Sequence, residues 1–398
     1  MKLALINLGC IVSGEWREPF IAGDAILIEN GLISSVGTAS ASEVEDCDVV
    51  IDAGGATAIP GLIDSHVHVT FGDYTPRQKT VGFLESYLHG GVTSAVSASE
   101  VHVPGRPADP AGIKALALAA QRCFDTYRPG GMKVWAGSLI LEPGLCEEDF
   151  TEAAEQGVWL AKAGFGAVVD PMDYVPMVRW AKARGFVTTV HTGGASIPGS
   201  SAIGARHLLA MAPDVSFHVN GGPVAMSDAD LAQVVQDSAI ALQVCTAGNL
   251  RTALLCTALA MRHNALDRLL IATDTPTGSG IMPLGMLYTI SHLASLGGLP
   301  PEIAIAAATG NNAARFHLSS GVLRAGRDAD VAIIDSPLGG TQPTALDALR
   351  NGDPAAVGAV VSGGMPRFVG RSRNTPPTMR RIRVARSSVM HDFNVAGH

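Results

Sequence analysis

The sequence has little charge and few aromatic side chains for its length. Only 16% of its 398 residues are Asp, Glu, Lys or Arg, and only 5% are Phe, Trp or Tyr. The formal net charge of −8 leaves no dominant basic surface, so a nucleic-acid partner is not expected. No stretch reaches the roughly 18 consecutive apolar residues of a membrane span, so no membrane partner is expected either.

Cysteine is also scarce. The six cysteines are scattered and none forms a CxxC pair, a pattern that suits buried thiols in a reducing compartment better than a disulfide framework. The apolar run at the N-terminus is short, carries Asn7 and leads into a strand-turn-strand pattern rather than a cleavage site. These features together predict a cytoplasmic protein.

Short apolar runs are abundant, and from residue 57 to 319 they alternate with helix-length segments. Eight such units favour a closed (β/α)8 barrel of the TIM type, because strands buried on both faces are nearly continuous in apolar residues. An open doubly wound sheet is the alternative, but no GxGxxG motif follows the first strand. The eight runs are Thr57–Val69, Thr93–Ala98, Lys133–Leu141, Val158–Gly166, Phe186–Gly193, Val215–Gly221, Ala241–Gly248 and Leu269–Thr275.

The two ends of the chain have β character of their own. Leu3–Ile11 and Ala25–Val36 precede the barrel, and Asp330–Asp335, Ala359–Ser362 and Pro366–Val369 follow it. We expect residues 1–56 and 320–398 to form one small, discontinuous β domain beside the catalytic barrel at residues 57–319.

The strongest chemical signal is His66-Val67-His68 at the end of the first predicted barrel strand. Residues two apart on a strand point to the same side, so both imidazoles face the barrel mouth, where the active sites of such barrels lie. A lone histidine on an apolar strand is more often a hydrogen-bonded core residue. A pair at a strand end, followed by further histidines at strand ends, favours metal ligation instead.

Three further groups end later strands: His191 on strand five, His218 on strand six and Asp274 on strand eight. Imidazole nitrogen and carboxylate oxygen are the ligands of zinc foremost, although iron, manganese and cobalt accept the same set. We expect two divalent metal ions, one held by His66, His68 and Asp274 and the other by His191 and His218.

Two neighbouring metal ions repel each other and need an anionic bridge. Strand four should supply it, but no Asp or Glu occurs between Glu155 and Asp170, and the strand offers Lys162. A lysine that has reacted with carbon dioxide carries a carboxylate at its tip, so a carboxylated Lys162 is the predicted bridge. The alternative is that Lys162 reaches solvent or forms an ordinary ion pair.

At these residues the chain resembles the amidohydrolase superfamily and, within it, the enamidases of nicotinate fermentation. The likeness runs from the first β unit to about residue 380 and extends beyond the ligands. It includes the segments Pro60–His68, Gly72–Lys79, His89–Thr93, Pro104–Pro107, His191–Gly194, Asn220–Pro223 and Asn374–Pro377.

The resemblance implies a hydrolase acting on the C–N bond of a cyclic amide or enamide, with Asp274 as both metal ligand and proton shuttle. A hydroxide between the two metals would attack the carbonyl. It also implies a homotetramer and zinc, or zinc with iron. One departure is Lys162, since the enamidases have a glutamate bridge at the aligned position while other superfamily members use a carboxylated lysine.

Substrate contacts are less constrained. Arg77 and Arg106, in loops after strands one and two, could hold a substrate carboxylate bidentately, or could tie loops together. Tyr74, Thr192 and Asn249 are further candidates for the pocket.

Three other functions stay open. A ring opener similar to hydantoinase or dihydropyrimidinase would use the same ligands with a carboxylated lysine. A mononuclear aminohydrolase, that is a deaminase, would place a catalytic glutamate near His191 or His218, and the sequence has none there. A non-catalytic barrel would typically have lost ligands, whereas every candidate position here is filled.

Overall fold

The structure is a computed structural model that describes residues 1–72, 80–100, 105–195, 200–221, 224–276, 280–389 and 394–395. It contains a parallel β barrel surrounded by helices and a β unit built from both ends of the chain. Among the described residues, no helix combines the length and apolar character that crossing a bilayer requires.

The N-terminal part is almost entirely β structure. Its apolar, β-branched runs pair into ladders, and the short helix α1 is capped by Ser40, whose hydroxyl accepts from the Glu43 amide. Its elements are β1 (Lys2–Ile6), β2 (Cys10–Val12), β3 (Phe20–Ile21), β4 (Ala25–Glu29), β5 (Leu32–Gly37), α1 (Ala41–Glu45), β6 (Val49–Asp52) and β7 (Thr57–Pro60).

The barrel strands follow in sequence order, each paired in parallel with the next within two sheets. The third position is divided between two short strands, β10 and β11, and a parallel bridge between Val67 and Thr275 joins the last position to the first. The strands are β8 (Leu62–Val67), β9 (Val92–Ser97), β10 (Lys133–Trp135), β11 (Ser138–Ile140), β12 (Leu160–Ala163), β13 (Val187–His191), β14 (Val215–Phe217), β15 (Ala241–Cys245) and β16 (Leu269–Ala272).

Helices cover the outside of the barrel. Several begin at side-chain caps that the sequence provides, such as Asp109 before α3 and Ser227 before α7. They are α2 (Thr80–Leu88), α3 (Pro110–Thr126), α4 (Glu147–Glu155), α5 (Tyr174–Ala183), α6 (Ala205–Met211), α7 (Asp228–Asp237), α8 (Leu250–Arg262), α9 (Gly285–Ser295), α10 (Pro301–Ala307) and α11 (Gly310–Arg315).

The C-terminal part returns to the β unit. It contributes β17 (Val331–Asp335), α12 (Ala345–Asn351), β18 (Ala356–Ser362), β19 (Met365–Val369), β20 (Arg383–Ser387) and β21 (Asn394–Val395). The five-stranded sheet has the order β20-β6-β1-β4-β5, and the seven-stranded sheet has the order β21-β19-β18-β17-β7-β2-β3. Both ends of the chain therefore contribute to each sheet.

The predicted first barrel run, Thr57–Val69, is two strands rather than one. β7 pairs with β17 and β2 in the β unit, and β8 pairs with β9 in the barrel. The chain crosses between them at Gly61, where an added Cβ would lie 2.2 Å from the Thr93 side chain. The predicted boundary at residue 57 thus falls at the start of β7, which is part of the β unit.

The barrel interior is closed at the N-terminal ends of its strands. Ile63, Leu160 and Leu270 lie there with the side chains of Phe316 and Leu318, which follow helix α11. This closed end, the barrel floor, leaves the opposite end, the mouth, to the polar residues at the C-terminal ends of the strands.

Candidate metal centre

Two histidines and an aspartate meet at the barrel mouth. His66 lies on β8, His68 directly follows it, and Asp274 follows β16. The Nε2 atoms of His66 and His68 lie 3.1 and 3.2 Å from Oδ1 of Asp274, and all three side chains are buried. One ligand atom from each lies within 4.8 Å of the others, so the three could share one metal ion.

Asp274 sits in an unusual backbone conformation. Its φ angle of 57° lies in the left-handed region, and its amide donates to the His66 carbonyl at 2.9 Å. Burial alone would raise its pKa, but its contacts with His66 and His68 hold the pKa well below the usual range. A strained backbone that holds a carboxylate in its ionised form is typical of a functional position.

The second nitrogen of His66 fixes which atom can bind a metal. Its Nδ1 lies 2.8 Å from Oε1 of Gln243, while the Gln243 amide donates to the Ser65 hydroxyl at 2.8 Å. Burial lowers the pKa of His66 to about 4, so the ring is neutral near pH 7 and carries one proton. Because that proton is donated to Gln243, Nε2 faces Asp274 with a bare lone pair. Two acceptors at this distance need a cation between them, and this fits a metal ion.

The other half of the mouth consists of His191, at the end of β13, and His218, just after β14. Their ring centroids are 4.6 Å apart, and His191 Nε2 donates to the Gly194 carbonyl at 2.8 Å. Burial lowers the pKa of His191 to about 4 and that of His218 well below its usual value. Among the described residues, Nδ1 of each ring has no hydrogen-bond partner and is left to act as a ligand.

Lys162 lies on β12 with its side chain wholly inside the protein. Its Nζ has no hydrogen-bond partner within the described part of the chain and lies 4.1 Å from the centre of the Phe217 ring. Burial lowers its pKa to about 7. A large fraction of the amine is therefore neutral at neutral pH, which is the form that reacts with carbon dioxide.

Gly164 allows the turn after β12 to lie close to β13. Its φ angle is +89°, and a Cβ at this position would lie 2.7 Å from the Cβ of His191. A larger residue would displace the histidine, so the turn after Lys162 depends on glycine.

Two of the predicted substrate contacts, Thr192 and Asn249, have hydrogen-bond partners within the protein. Thr192 is buried and donates to the Phe217 carbonyl, with the Ser216 hydroxyl 2.8 Å from its own. Asn249 is exposed and caps helix α8, its side chain accepting from the Thr252 amide at 3.1 Å.

Arg106 is engaged with protein groups. Its guanidinium donates to Glu142 at 2.6 Å and to the Phe165 carbonyl at 2.8 Å. The loops after barrel strands two, three and four are thereby tied together, which was the alternative to a substrate contact. Tyr74 and Arg77 lie outside the described residues.

Several polar residues near the mouth were not found from the sequence. Glu100 and Glu142 are buried carboxylates after β9 and β11, and Glu100 accepts from the Gly137 amide at 2.8 Å. Gln243 and the Cys245 thiol flank His66, with Sγ 3.8 Å from His66 Nδ1. Glu100, Glu142 and Cys245 follow or end a barrel strand, so the strand-end rule that located the histidines could have found them, whereas Gln243 lies in the middle of β15.

The chain is similar to known proteins over nearly its whole length. The family model described as amidohydrolase family matches residues 57–365. Enamidase from Eubacterium barkeri is 41% identical over 384 residues, which is 96% of this chain and 99% of that protein. Imidazolonepropionase from Bacillus anthracis (strain A0248) is 38% identical over 113 residues, covering 24% of this chain and 27% of the relative.

Solved structures give the same result. The crystal structure of enamidase superposes with a TM-score of 0.92 at 41% identity, covering 96% of this chain and 100% of the other. Beta-aspartyl dipeptidase from Fervidobacterium islandicum AW-1 has a TM-score of 0.61 at 18% identity over 94% of this chain and 97% of the other, which is a likeness of fold alone.

Proposed function

The chain belongs to the amidohydrolase family, and from that premise we propose that it is a metal-dependent hydrolase that opens the C–N bond of a cyclic enamide or cyclic amide. The identity to enamidase extends over nearly the whole of both chains. The observation that carries the proposal is the convergence of His66, His68, Asp274, His191 and His218, all buried, at one end of the barrel.

The donor set suits two divalent ions. His66, His68 and Asp274 would hold one, and His191 and His218 would hold the other through the nitrogen atoms that have no protein partner. When bound, the metal ions supply Lewis-acid activation of water and of the amide carbonyl. Zinc is the preferred metal for these ligands, and a zinc and iron pair is compatible with them.

Lys162 would complete this set as a carbamate. Its neutral amine attacks the carbon of carbon dioxide, so that a C–N bond forms and one C=O π bond breaks. The nitrogen then loses one proton to water, which leaves an N-carboxylate. The partnerless Nζ inside the protein supports this step, because an ammonium there would gain no hydrogen bond and would face the metal charges. The carboxylate oxygens would serve as the anionic bridge between the two halves.

Asp274 is the proposed proton carrier. Its carboxylate accepts the proton of the attacking water, acting as general base, and passes it to the departing ring nitrogen, acting as general acid. Its depressed pKa keeps it ionised, which a general base requires before the reaction, and its contacts with His66 and His68 hold it at the mouth.

Recognition of the substrate is less defined. Because Arg106 is paired with Glu142, it could bind a substrate carboxylate only through guanidinium hydrogens that this pair leaves over. Arg77 and Tyr74 stay predictions, as does the homotetramer.

The test uses protein expressed with added bicarbonate. We expect about two metals per chain by mass spectrometry and hydrolysis of a cyclic enamide or lactam panel. Asp274→Asn should retain most of the metal and lose turnover by about a thousandfold, a size typical for a proton carrier with a charge-stabilising role. Asp335→Asn changes another buried aspartate, paired with Arg380 in the β unit, and should leave turnover unchanged.

A ring opener of the hydantoinase or dihydropyrimidinase kind is the second candidate, favoured specifically by Lys162 in place of a glutamate. The same panel should therefore include hydantoins and dihydropyrimidines, and preferential turnover of these would replace the enamide assignment. One metal per chain, with Asp274→Asn still active, would contradict both and favour the mononuclear aminohydrolase.

A further inference from the structure

A cavity of about 640 Å³ lies at the barrel floor, away from the candidate metal centre. Its walls come from the loop after β2 and from helix α11 with the segment that follows it. Asp267, which lines it, precedes β16, whereas Asp274 follows that strand. At about 3.3 Å per residue, the four residues of β16 alone place roughly 10 Å of strand between them.

The charged groups of the cavity favour an anion. Three guanidinium groups, from Arg17, Arg315 and Arg327, line it against two carboxylates, from Glu15 and Asp267. Glu15 is already paired with another arginine outside the lining, Arg324, at 3.3 Å. Within the described residues, Arg17 and Arg315 have no ion pair, so the three guanidinium groups outnumber Asp267, the carboxylate of the lining that Arg324 does not pair.

The floor cavity also has an apolar wall. Trp16 contributes an indole to one wall, with Cζ of Arg17 4.8 Å from its centre, and Leu318 and Val322 contribute buried aliphatic surface. A cavity that combines an aromatic wall with an excess of guanidinium groups suits a small organic anion better than a bare inorganic ion.

The loop that carries Trp16 and Arg17 is held in place by its own hydrogen bonds. The Ser13 hydroxyl donates to the Glu18 carbonyl at 2.6 Å and accepts from the Glu15 amide at 2.9 Å. The Ser13 carbonyl accepts from the Leu323 amide at 2.8 Å, which ties the loop to the opposite wall. The cavity is therefore preformed, and a ligand would not have to order it.

We propose that this floor cavity is a second ligand site, separate from the catalytic mouth, that binds a small organic anion. The carboxylate or phosphate group of the ligand accepts hydrogen bonds from Arg17 and Arg315, and its apolar part lies against Trp16. Benzoate stands for the aromatic carboxylate and phenyl phosphate for the phosphate ester, and inorganic phosphate tests whether the anionic group alone is enough.

Titration calorimetry of the metal-loaded protein tests the site with each of these three probes. We expect saturable binding of benzoate or phenyl phosphate, weakened about tenfold in Arg315→Ala and in Arg17→Ala, because each loses a charged hydrogen bond. Arg315→Lys keeps the charge and should bind with intermediate affinity, which separates loss of the ligand contact from misfolding. Arg251→Ala removes an exposed arginine paired with Asp228 and should bind like the unaltered protein.

The three probes distinguish the possible ligands of the cavity. Binding of benzoate without phenyl phosphate identifies a carboxylate site, and the reverse identifies a phosphate-ester site. Inorganic phosphate binding as tightly as both would overturn the organic part of the proposal. Absence of saturable binding, or binding that neither Arg17→Ala nor Arg315→Ala weakens, would overturn the site itself.

Discussion

The two halves of the barrel mouth are built from the same residue types but satisfy them differently. In one half, His66, His68 and Asp274 contact one another, and His66 is held from behind by Gln243. In the other half, His191 Nδ1, His218 Nδ1 and Lys162 Nζ are buried without hydrogen-bond partners among the described residues. We call these the closed half and the open half.

The difference indicates where the protein depends on added groups. An unsatisfied buried polar atom costs about 1–3 kcal/mol, so three in one place are a substantial cost to stability. His218 adds a backbone φ of 33°, outside the common regions for a residue with a side chain. Folded proteins retain such unsatisfied groups where the binding of a further group offsets their cost. We therefore expect the open half to depend most on metal and on carboxylation.

The largest effect is expected from a substitution in the open half. Lys162→Ala removes the proposed bridge, so we expect metal content to fall and turnover to drop by at least about a thousandfold, equivalent to ~4 kcal/mol. Acetate or propionate should partly restore turnover by placing a free carboxylate in the space left. Metal analysis, kinetics with added carboxylates and a carbamate carbon signal from ¹³C-bicarbonate provide three separate measurements.

The control is Lys182→Ala, which removes an exposed lysine at the end of helix α5 and should change none of these readings. If Lys162→Ala keeps its metal and its turnover, with no response to acetate, the carbamate is wrong and Lys162 has only a packing role.

An intermediate effect is expected from a substitution in the closed half. Gln243→Leu removes the acceptor for His66 Nδ1, and the ring is then free to change its tautomer and tilt. Loss of such a positioning group typically costs tenfold to a hundredfold in metal affinity. Chelator competition with cobalt-loaded protein measures that affinity, and the cobalt absorption spectrum reports the altered ligand field.

Two further variants test the role of Gln243. Gln243→Glu keeps an acceptor and should retain more affinity than Gln243→Leu, while Gln236→Leu on the exposed face of α7 should have no effect. Equal affinity in Gln243→Leu and the unaltered protein would show that His66 is positioned by packing alone.

The candidate metal ligands and much of the fold could be predicted from the sequence. His66 and His68 follow from strand alternation, and His191, His218 and Asp274 follow from the rule that side chains at strand ends converge. The structure brings these groups together at the mouth. The parallel strand order and the return of the C-terminal strands to the β unit also follow from apolar runs and their spacing.

The remaining features depend on contacts between distant segments. The partner of Arg106 is Glu142, 36 positions away on another loop, and no local pattern connects them. The division of residues 57–69 into two strands depends on pairing of β7 with β17, which lies far along the chain. Thr192 and Asn249 were predicted from position, and position does not reveal that each side chain also hydrogen-bonds a neighbouring backbone group.

The smallest expected effect uses a buried histidine outside the mouth. His89, just after helix α2, has both ring nitrogens within hydrogen-bond distance of donors on Arg373: the backbone amide at 3.2 Å from Nδ1 and Nε at 2.9 Å from Nε2. A neutral ring accepts from one of these donors, and a protonated ring from neither. Burial, and then the charge of Arg373, lower the pKa of His89 to about 4 from its ordinary value of 6.5.

A histidine whose pKa is depressed on folding binds its proton more tightly when unfolded. Stability from neutral His89 is therefore fully present above about pH 6.5 and is lost as the pH falls toward 4. After allowance for solvent screening, we expect the loss to be about 1–2 kcal/mol. His89→Gln keeps an acceptor but cannot titrate, so urea unfolding of metal-free protein from pH 4.5 to 7.5 should give a flatter profile for this variant. The mouth histidines are common to both proteins and cancel in the difference. If the two proteins lose stability in parallel as the pH falls, His89 is not buried as a neutral ring. The behaviour of His89 would then say nothing about His191 and His218 in the open half.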